Sequence, residues 1–232
     1  MKLHVLGSSS KGNGYVLEAK NTALLLECGV KIGELIKTGL FDKVELGLSS
    51  HLHGDHSAYI NDYLIRGIHI ANNVSKHHNS LPITHKQKIK KGEWELIPLL
   101  MEHDVECFGF LIKHAEFGTC LFVTDTSNIP YKINGINHLI IEANFTQETL
   151  DKKQVNQKVN HYLATRIEDS HLSFEKCKEW ILDSDLKSLQ SVTLIHLSDS
   201  NSEAEKYVND LTETIGIPVN IADKGQVYYL NF

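Results

Sequence analysis

The sequence predicts an α/β fold in one domain, residues 1–232. Three observations lead to it. Short apolar runs with strand character recur along the chain. Stretches with helical spacing fall between and after them, as at Lys31–Thr38 and Phe174–Ile181. Apolar runs also end repeatedly in a histidine or a carboxylate. Leu46-Gly47-Leu48 leads to His51, Cys120–Val123 to Asp125, His138–Ile141 to Glu142, and Val192–Ile195 to His196. Side chains delivered in this way by separate strands point to one shared face at the strands' carboxyl ends.

Composition narrows the class. A chain of 232 residues can bury one large core. Its 41% hydrophobic and 22% charged content is ordinary for a soluble globular protein. A net charge of −6 argues against coating nucleic acid by bulk electrostatics. Cys28, Cys107, Cys120 and Cys177 are scattered with no C-x-x-C pair, and read as reduced thiols in a cytoplasmic protein. No apolar run is long enough to span a membrane, so no membrane partner is expected. Met1–Leu6 enters a strand directly and lacks the apolar centre of a signal peptide.

The densest chemistry lies at His51-Leu52-His53-Gly54-Asp55-His56, with three imidazoles and one carboxylate in six residues. Burying such groups together costs hydration, and no ordinary core needs them. Imidazole and carboxylate are good ligands for Zn²⁺, Mn²⁺ or Fe²⁺. One ion cannot easily take all four from so short a segment. Two adjacent ions can, with Gly54 expected to supply the sharp turn between the pairs. A solvated, His-rich loop is the bland alternative.

His51, His53, Asp55 and His56 resemble the signature of the metallo-β-lactamase superfamily. The resemblance implies a four-layer αβ/βα sandwich with metals at the sheet edges. It also implies three further ligands downstream. His103, in the loop after Trp94–Leu99, stands where the superfamily places its third histidine. Asp125 resembles its bridging aspartate, and His196 ends a later strand. The implied first site is His51, His53 and His103. The second is Asp55, His56 and His196, with Asp125 shared. The implied cofactors are two divalent ions, Zn²⁺ first and Mn²⁺ as the alternative.

The remaining elements follow in order. Leu3–Leu6 is a strand, and Gly7–Gly14 is a small-residue loop whose N–H groups and Lys11 could meet a phosphate. Its plain alternative is a connecting turn. Tyr15–Glu18 and Ala23–Glu27 form a hairpin around Lys20-Asn21. Lys31–Thr38 is a helix, and Ala58–Arg66 is the helix leaving the metal loop. His69–Ala71 is a short strand, and His77 and His78 sit in a polar, exposed run. His85–Lys91 is basic and reads as a solvated edge. Trp94–Leu99 is a strand, with Glu102 and Asp104 flanking His103 as sources of supporting charge. Cys107–Lys113 and Thr119–Thr124 are antiparallel strands. Gln147–Ser170 is polar with no clear periodicity, and is expected to lie over the site as a lid. Ser173 caps the helix of Phe174, Cys177 and Ile181. The last helix is expected to begin at Ser202 with Glu205 completing a capping box, and to bury Ala204, Val208, Leu211 and Ile215. Val219–Ile221 and Gln226–Tyr229 close the chain as strands.

Two cations in such a site bring a water's pKa from ~16 towards ~7 and stabilise both oxygens of a displacement. Asp55 can orient that water. A sugar alkoxide leaves poorly, so a phosphodiesterase gains from a general acid. Glu142-Ala143-Asn144-Phe145 and His171-Leu172-Ser173 resemble the Glu-Ala-Thr-Phe and His-Ser-Thr segments of ribonuclease Z. In that family the glutamate charges the histidine, which protonates the leaving oxygen. The resemblance thus assigns catalytic roles to Glu142 and His171. Gly7–Asn13 and Ile195–Ser202 look most like the WalJ-like phosphodiesterases, and equally like the phage anti-Pycsar enzymes. They imply a binuclear phosphodiesterase acting on a small cyclic nucleotide, with 3′,5′-cyclic mononucleotides giving 5′-monophosphates. A nuclease acting on RNA or DNA ends is the alternative, although no insertion like the transfer-RNA-gripping arm is present. A homodimer is expected, in the cytoplasm of the host cell if a phage encodes the chain.

Overall fold

The structure is a computed structural model and describes residues 1–156, 159–198 and 203–230. Its strands are β1 Lys2–Gly7, β2 Gly14–Glu18, β3 Ala23–Leu26, β4 Val44–Leu48, β5 Ile70–Ala71, β6 Ser80–Leu81 and β7 Ile89–Lys91. They continue as β8 Trp94–Met101, β9 Cys107–His114, β10 Gly118–Val123, β11 His138–Glu142, β12 Ser191–Ile195, β13 Val219–Ile221 and β14 Val227–Tyr229. The helices are α1 Ile32–Lys37, α2 Gly54–Ser57, α3 Ile60–Ile65, α4 Gln147–Val155, α5 His161–Ser170, α6 Phe174–Leu182 and α7 Ala204–Ile215. One sheet has the order β14-β1-β2-β3-β4-β5-β6, the other β13-β12-β11-β10-β9-β8-β7.

Strand alternation builds four layers. Leu24, Leu26, Leu46 and Leu48 of the first sheet face Phe110, Phe122 and Ile140 of the second, in a core between the sheets. The intervening residues face outward. Leu25 meets Leu35, Tyr63 and Leu64 of α1 and α3. Leu121, Val123 and Ile141 meet Cys177, Ile181 and Leu211 of α6 and α7. Strands buried on both faces read as unbroken apolar runs, which is why these were visible in the sequence. Each fully buried Leu or Phe contributes about 1.5–3 kcal/mol relative to exposure. The expected αβ/βα sandwich is the observed fold.

Three expectations need correction. Gln147–Ser170 holds two helices, α4 and α5, separated by a short connection. Their apolar content is low, because only the small cluster of Phe145, Leu150 and Ala164 lies beneath them. Side-chain caps start them instead: Thr146 accepts from the Thr149 N–H and Asn160 from the Leu163 N–H. The helix read as Ala58–Arg66 is shorter, Ile60–Ile65, with Tyr59 at its N-cap and Ala58 closing the separate α2 before it. Ser202 lies outside the described residues, as do Asp199, Ser200 and Asn201. Glu203 occupies the cap position of α7 without a side-chain cap bond. The Ser173 cap is present, accepting from the Lys176 N–H at 3.2 Å. Among the described residues no helix is long and apolar enough to cross a membrane.

Candidate metal centre

Strand direction gathers the site. β10, β11 and β12 are mutually parallel. β8 and β10 are each antiparallel to β9, so β8 runs the same way as they do. The residues that follow these strands, or end them, therefore meet at one edge: His103, Asp125, Glu142 and His196. The opposing sheet contributes His51, His53, Asp55 and His56 from the loop after β4 and from α2. All nine sequence-proposed residues fall into three overlapping clusters. These are His51, His53, His103 and Asp125; Asp55, His56, Asp125 and His196; and Asp125, Glu142, His171 and His196. Asp125 belongs to all three.

In the first cluster, His103 Nδ1 donates to the Ser170 carbonyl at 2.9 Å. That fixes the tautomer of a neutral ring and leaves Nε2 as a lone pair, 3.2 Å from His53 Nδ1. His51 is oriented by Ser50 Oγ, 2.8 Å from its Nδ1. Its Nε2 is buried without a hydrogen-bond partner and lies 3.8 Å from Asp125 Oδ2. Burial pushes His51 down to about 2, with His56 adding to the effect, so the ring is neutral. Burial lowers His103 as well. Neutral imidazoles with converging nitrogens are what a divalent ion takes.

In the second cluster, Asp55 Oδ2 is 3.3 Å from both His56 Nε2 and His196 Nε2. Asp125 Oδ1 is 3.3 Å from His56 Nε2 and 3.2 Å from His196 Nδ1. A tetrahedral ion with ligand bonds of 2.0–2.1 Å would set its donors roughly 3.3–3.4 Å apart. The spacing of Asp55 Oδ2, Asp125 Oδ1 and the Nε2 atoms of His56 and His196, with His196 Nδ1 left to Glu142, and the orphaned His51 nitrogen fit two adjacent divalent ions. Burial opposes ionisation of Asp125, yet His196 and His56 hold it well below the carboxylate range. Burial likewise opposes charge on His196, but Asp125, Asp55 and Glu142 push it up to about 10.

The backbone is shaped for this. Asp125 and His196 sit at φ 35° and φ 52°, a region that costs a non-glycine residue energy. Gly29 is needed at one close approach: a Cβ there would lie 1.7 Å from the Asp55 carbonyl oxygen. Gly54 is not the turn residue the sequence suggested. It begins α2 without a positive φ, and a Cβ on it would meet nothing within 4 Å. The Gly7–Gly14 loop positions ligands. Asn13 Nδ2 lies 3.0 Å from His56 Nε2 and 3.3 Å from Asp55 Oδ2, and Ser8 Oγ accepts from the His196 N–H at 3.0 Å.

Glu142 links the clusters. It is fully buried, and its Oε1 is 2.7 Å from His171 Nδ1 and 2.8 Å from His196 Nδ1. Its Oε2 accepts the Leu172 N–H at 2.9 Å. Burial lowers the His171 pKa, but Glu142 and Asp125 outweigh it and leave it raised. His171 keeps 22% of its side chain exposed, toward a cavity of about 420 Å³.

That cavity separates the two acids flanking His103, and its α5 wall is what sequence reasoning missed. Asp104 places Oδ1 3.1 Å from His103 Nε2, at the ligand atom itself, whereas Glu102 holds Asn128 instead. Leu163, Arg166, Ile167 and Ser170 of α5 line its wall, with Ser10. Their i, i+3, i+4, i+7 spacing was the available signal. Lys11 does not line it. His77 and His78 pack against each other with tilted rings, centroids 4.1 Å apart, and join no cluster among the described residues. The basic run pairs at its edge, Lys88 with Glu95 at 3.0 Å. Lys152 pairs with Glu148, and Lys158 lies outside the described residues.

No protein-family model matches the sequence, and no curated protein matches it significantly. Solved structures do match. The metallo-β-lactamase fold protein YhfI from Bacillus subtilis superposes with a TM-score of 0.74 at 19% identity, covering 98% of this chain and 99% of that one. The protein has the metallo-β-lactamase fold. The short form of human tRNase Z shares it, with a TM-score of 0.63, 16% identity and 100% of both chains covered. A diphosphatase of the PhnP family does so with a TM-score of 0.66, 14% identity, and 98% of this chain and 97% of that one. A metallo-β-lactamase fold carries many chemistries, so the reaction must be argued from the site.

Proposed function

We propose that the protein is a metal-dependent phosphodiesterase, with a 3′,5′-cyclic mononucleotide as its first-choice substrate and the 5′-monophosphate as product. The observation that carries the reading is the Glu142–His171 pair, 2.7 Å apart at the cavity wall. A thiolate leaves without help, but a ribose alkoxide needs a proton. A buried carboxylate that keeps a partly exposed histidine charged beside a ligand cluster is built to supply one.

His51, His53 and His103 would hold one ion, and Asp55, His56 and His196 the other, with Asp125 between them. Two divalent ions there, Zn²⁺ or Mn²⁺, would supply an activated water and neutralise phosphoryl charge. The chain's own groups do the rest. Asp55 faces the cavity and orients the attacking water. His171 keeps Nδ1 on Glu142 and offers the Nε2 proton to the departing 3′-oxygen. Human tRNase Z and the PhnP-family diphosphatase, both by name enzymes of phosphorus chemistry, support the phosphoryl substrate.

The cavity of about 420 Å³ suits a nucleotide-sized ligand. Apart from the residues that would hold the ions, its walls carry one carboxylate, Asp104, and one arginine, Arg166, too few cationic groups to grip a long polyanion. The same substrate follows from the resemblance to the anti-Pycsar enzymes. A homodimer belongs to this reading, with Val155 of α4 and Tyr162 of α5, 83% and 81% exposed, as apolar surface for a second copy. Incubating the Zn²⁺- or Mn²⁺-loaded protein with cyclic mononucleotides, cyclic dinucleotides and short RNA tests it. Turnover of the mononucleotides with modest salt dependence is expected. Cleavage of RNA alone, falling steeply with salt, would favour the nuclease alternative.

A further inference from the structure

Arg166 stands apart in this chain. It is one of two arginines among 23 basic residues. The other, Arg66, donates to the Asp62 carbonyl of its own helix at 3.2 Å. The Arg166 side chain makes no hydrogen bond or ion pair to any described residue, yet it lines the cavity that holds Asp55, Asp125 and His171. Three carboxylates on the same walls would pair with it if they were within reach. Its guanidinium is left for a ligand.

Its helix is fixed against the reacting centre at the near end. The Ser170 carbonyl accepts from His103 Nδ1 at 2.9 Å, and the next residue is His171. Arg166 lies one turn earlier, about 6 Å along the axis. Ser170 Oγ, on the same cavity wall, is buried without a hydrogen-bond partner. A buried hydroxyl in that condition marks a place where an acceptor is missing. Arg166 is exposed and Leu163 beside it is 40% exposed, so the guanidinium is open to an incoming ligand.

Resting on the phosphodiesterase reading, we infer that Arg166 is the phosphate-recognition residue of the cavity. Its planar fork takes two non-bridging oxygens of the scissile diester and keeps hold of the phosphomonoester formed. A lysine offers a point charge and cannot reproduce the two-pronged contact.

The test uses the metal-loaded full chain and inorganic phosphate as the probe. Calorimetry on the wild type, Arg166→Lys and Arg166→Gln should show Arg166→Gln binding phosphate about ten- to a hundredfold more weakly, with Arg166→Lys between. Turnover of bis(4-nitrophenyl) phosphate should fall by a similar factor in kcat/KM. Phosphate affinity in Arg166→Gln within twofold of wild type overturns the inference, even if diesters are hydrolysed. Arg166-dependent phosphate binding in a wild-type protein that hydrolyses no diester keeps the inference and removes the phosphodiesterase reading.

Discussion

Glu142 Oε1 lies 2.7 Å from His171 Nδ1, and the carboxylate's other oxygen is occupied by the Leu172 N–H. The pair is therefore locked: Glu142 can neither rotate away nor take a proton without losing a bond. Removing the acid should hurt a poor leaving group most. His171→Ala is expected to lower kcat on a nucleoside or alkyl diester by about 10²–10⁴, and on a nitrophenyl diester far less. Glu142→Gln should show the same bias in weaker form. Equal losses on both substrates would make His171 a structural residue.

Asp125 is the shared member of every cluster. Asp125→Ala should lower the metal content of both sites together, where His53→Ala should affect mainly one. Elemental analysis of the purified variants distinguishes these outcomes. Full metal content in Asp125→Ala would show that it does not bridge.

Two glycines make a paired test of the backbone. Gly29→Ala forces a Cβ to 1.7 Å from the Asp55 carbonyl and must move the α2 ligands. A stability loss of about 1–3 kcal/mol is expected, with weaker metal binding. Gly54→Ala meets nothing and should be neutral, or stabilising by about 0.4–1 kcal/mol. Thermal melts with and without Zn²⁺ compare them.

The pH response follows from His196. In the metal-free protein burial opposes its charge, but Asp125, Asp55 and Glu142 raise it to about 10. A raised folded pKa stabilises fully below the unfolded value near ~6.5, and that stabilisation is lost as pH rises through about 10. An ion needs the neutral ring, so binding must displace the proton. Zn²⁺ affinity should therefore climb with pH across this window, with proton release detectable by calorimetry in buffers of different ionisation enthalpy. Affinity independent of pH would contradict this account of His196.

Much of the site was legible because its chemistry is local. His51, His53, Asp55 and His56 are nearly contiguous, and Asp125, Glu142 and His196 each follow an apolar strand that must end at an edge. The four layers were legible for the same reason, since strands buried on both faces cannot hide their apolar runs. What escaped depends on tertiary approach. Nothing near Gly29 announces that Asp55 will pack on it, 26 residues later. Asn13 and Ser8 look like loop residues until β1, β2 and the His196 turn converge. Arg166 was hidden because α5 has little to bury, so its apolar stripe is short and its start is marked only by the Asn160 cap.

These residues are proposed to form a two-ion phosphodiesterase site. Stripped protein titrated with Zn²⁺ or Mn²⁺, while hydrolysis of bis(4-nitrophenyl) phosphate is followed, tests it most directly. Activity should be absent at the start and should rise to a plateau at about two equivalents per chain. No hydrolysis at any metal loading, or activity that persists in the stripped protein, would contradict it.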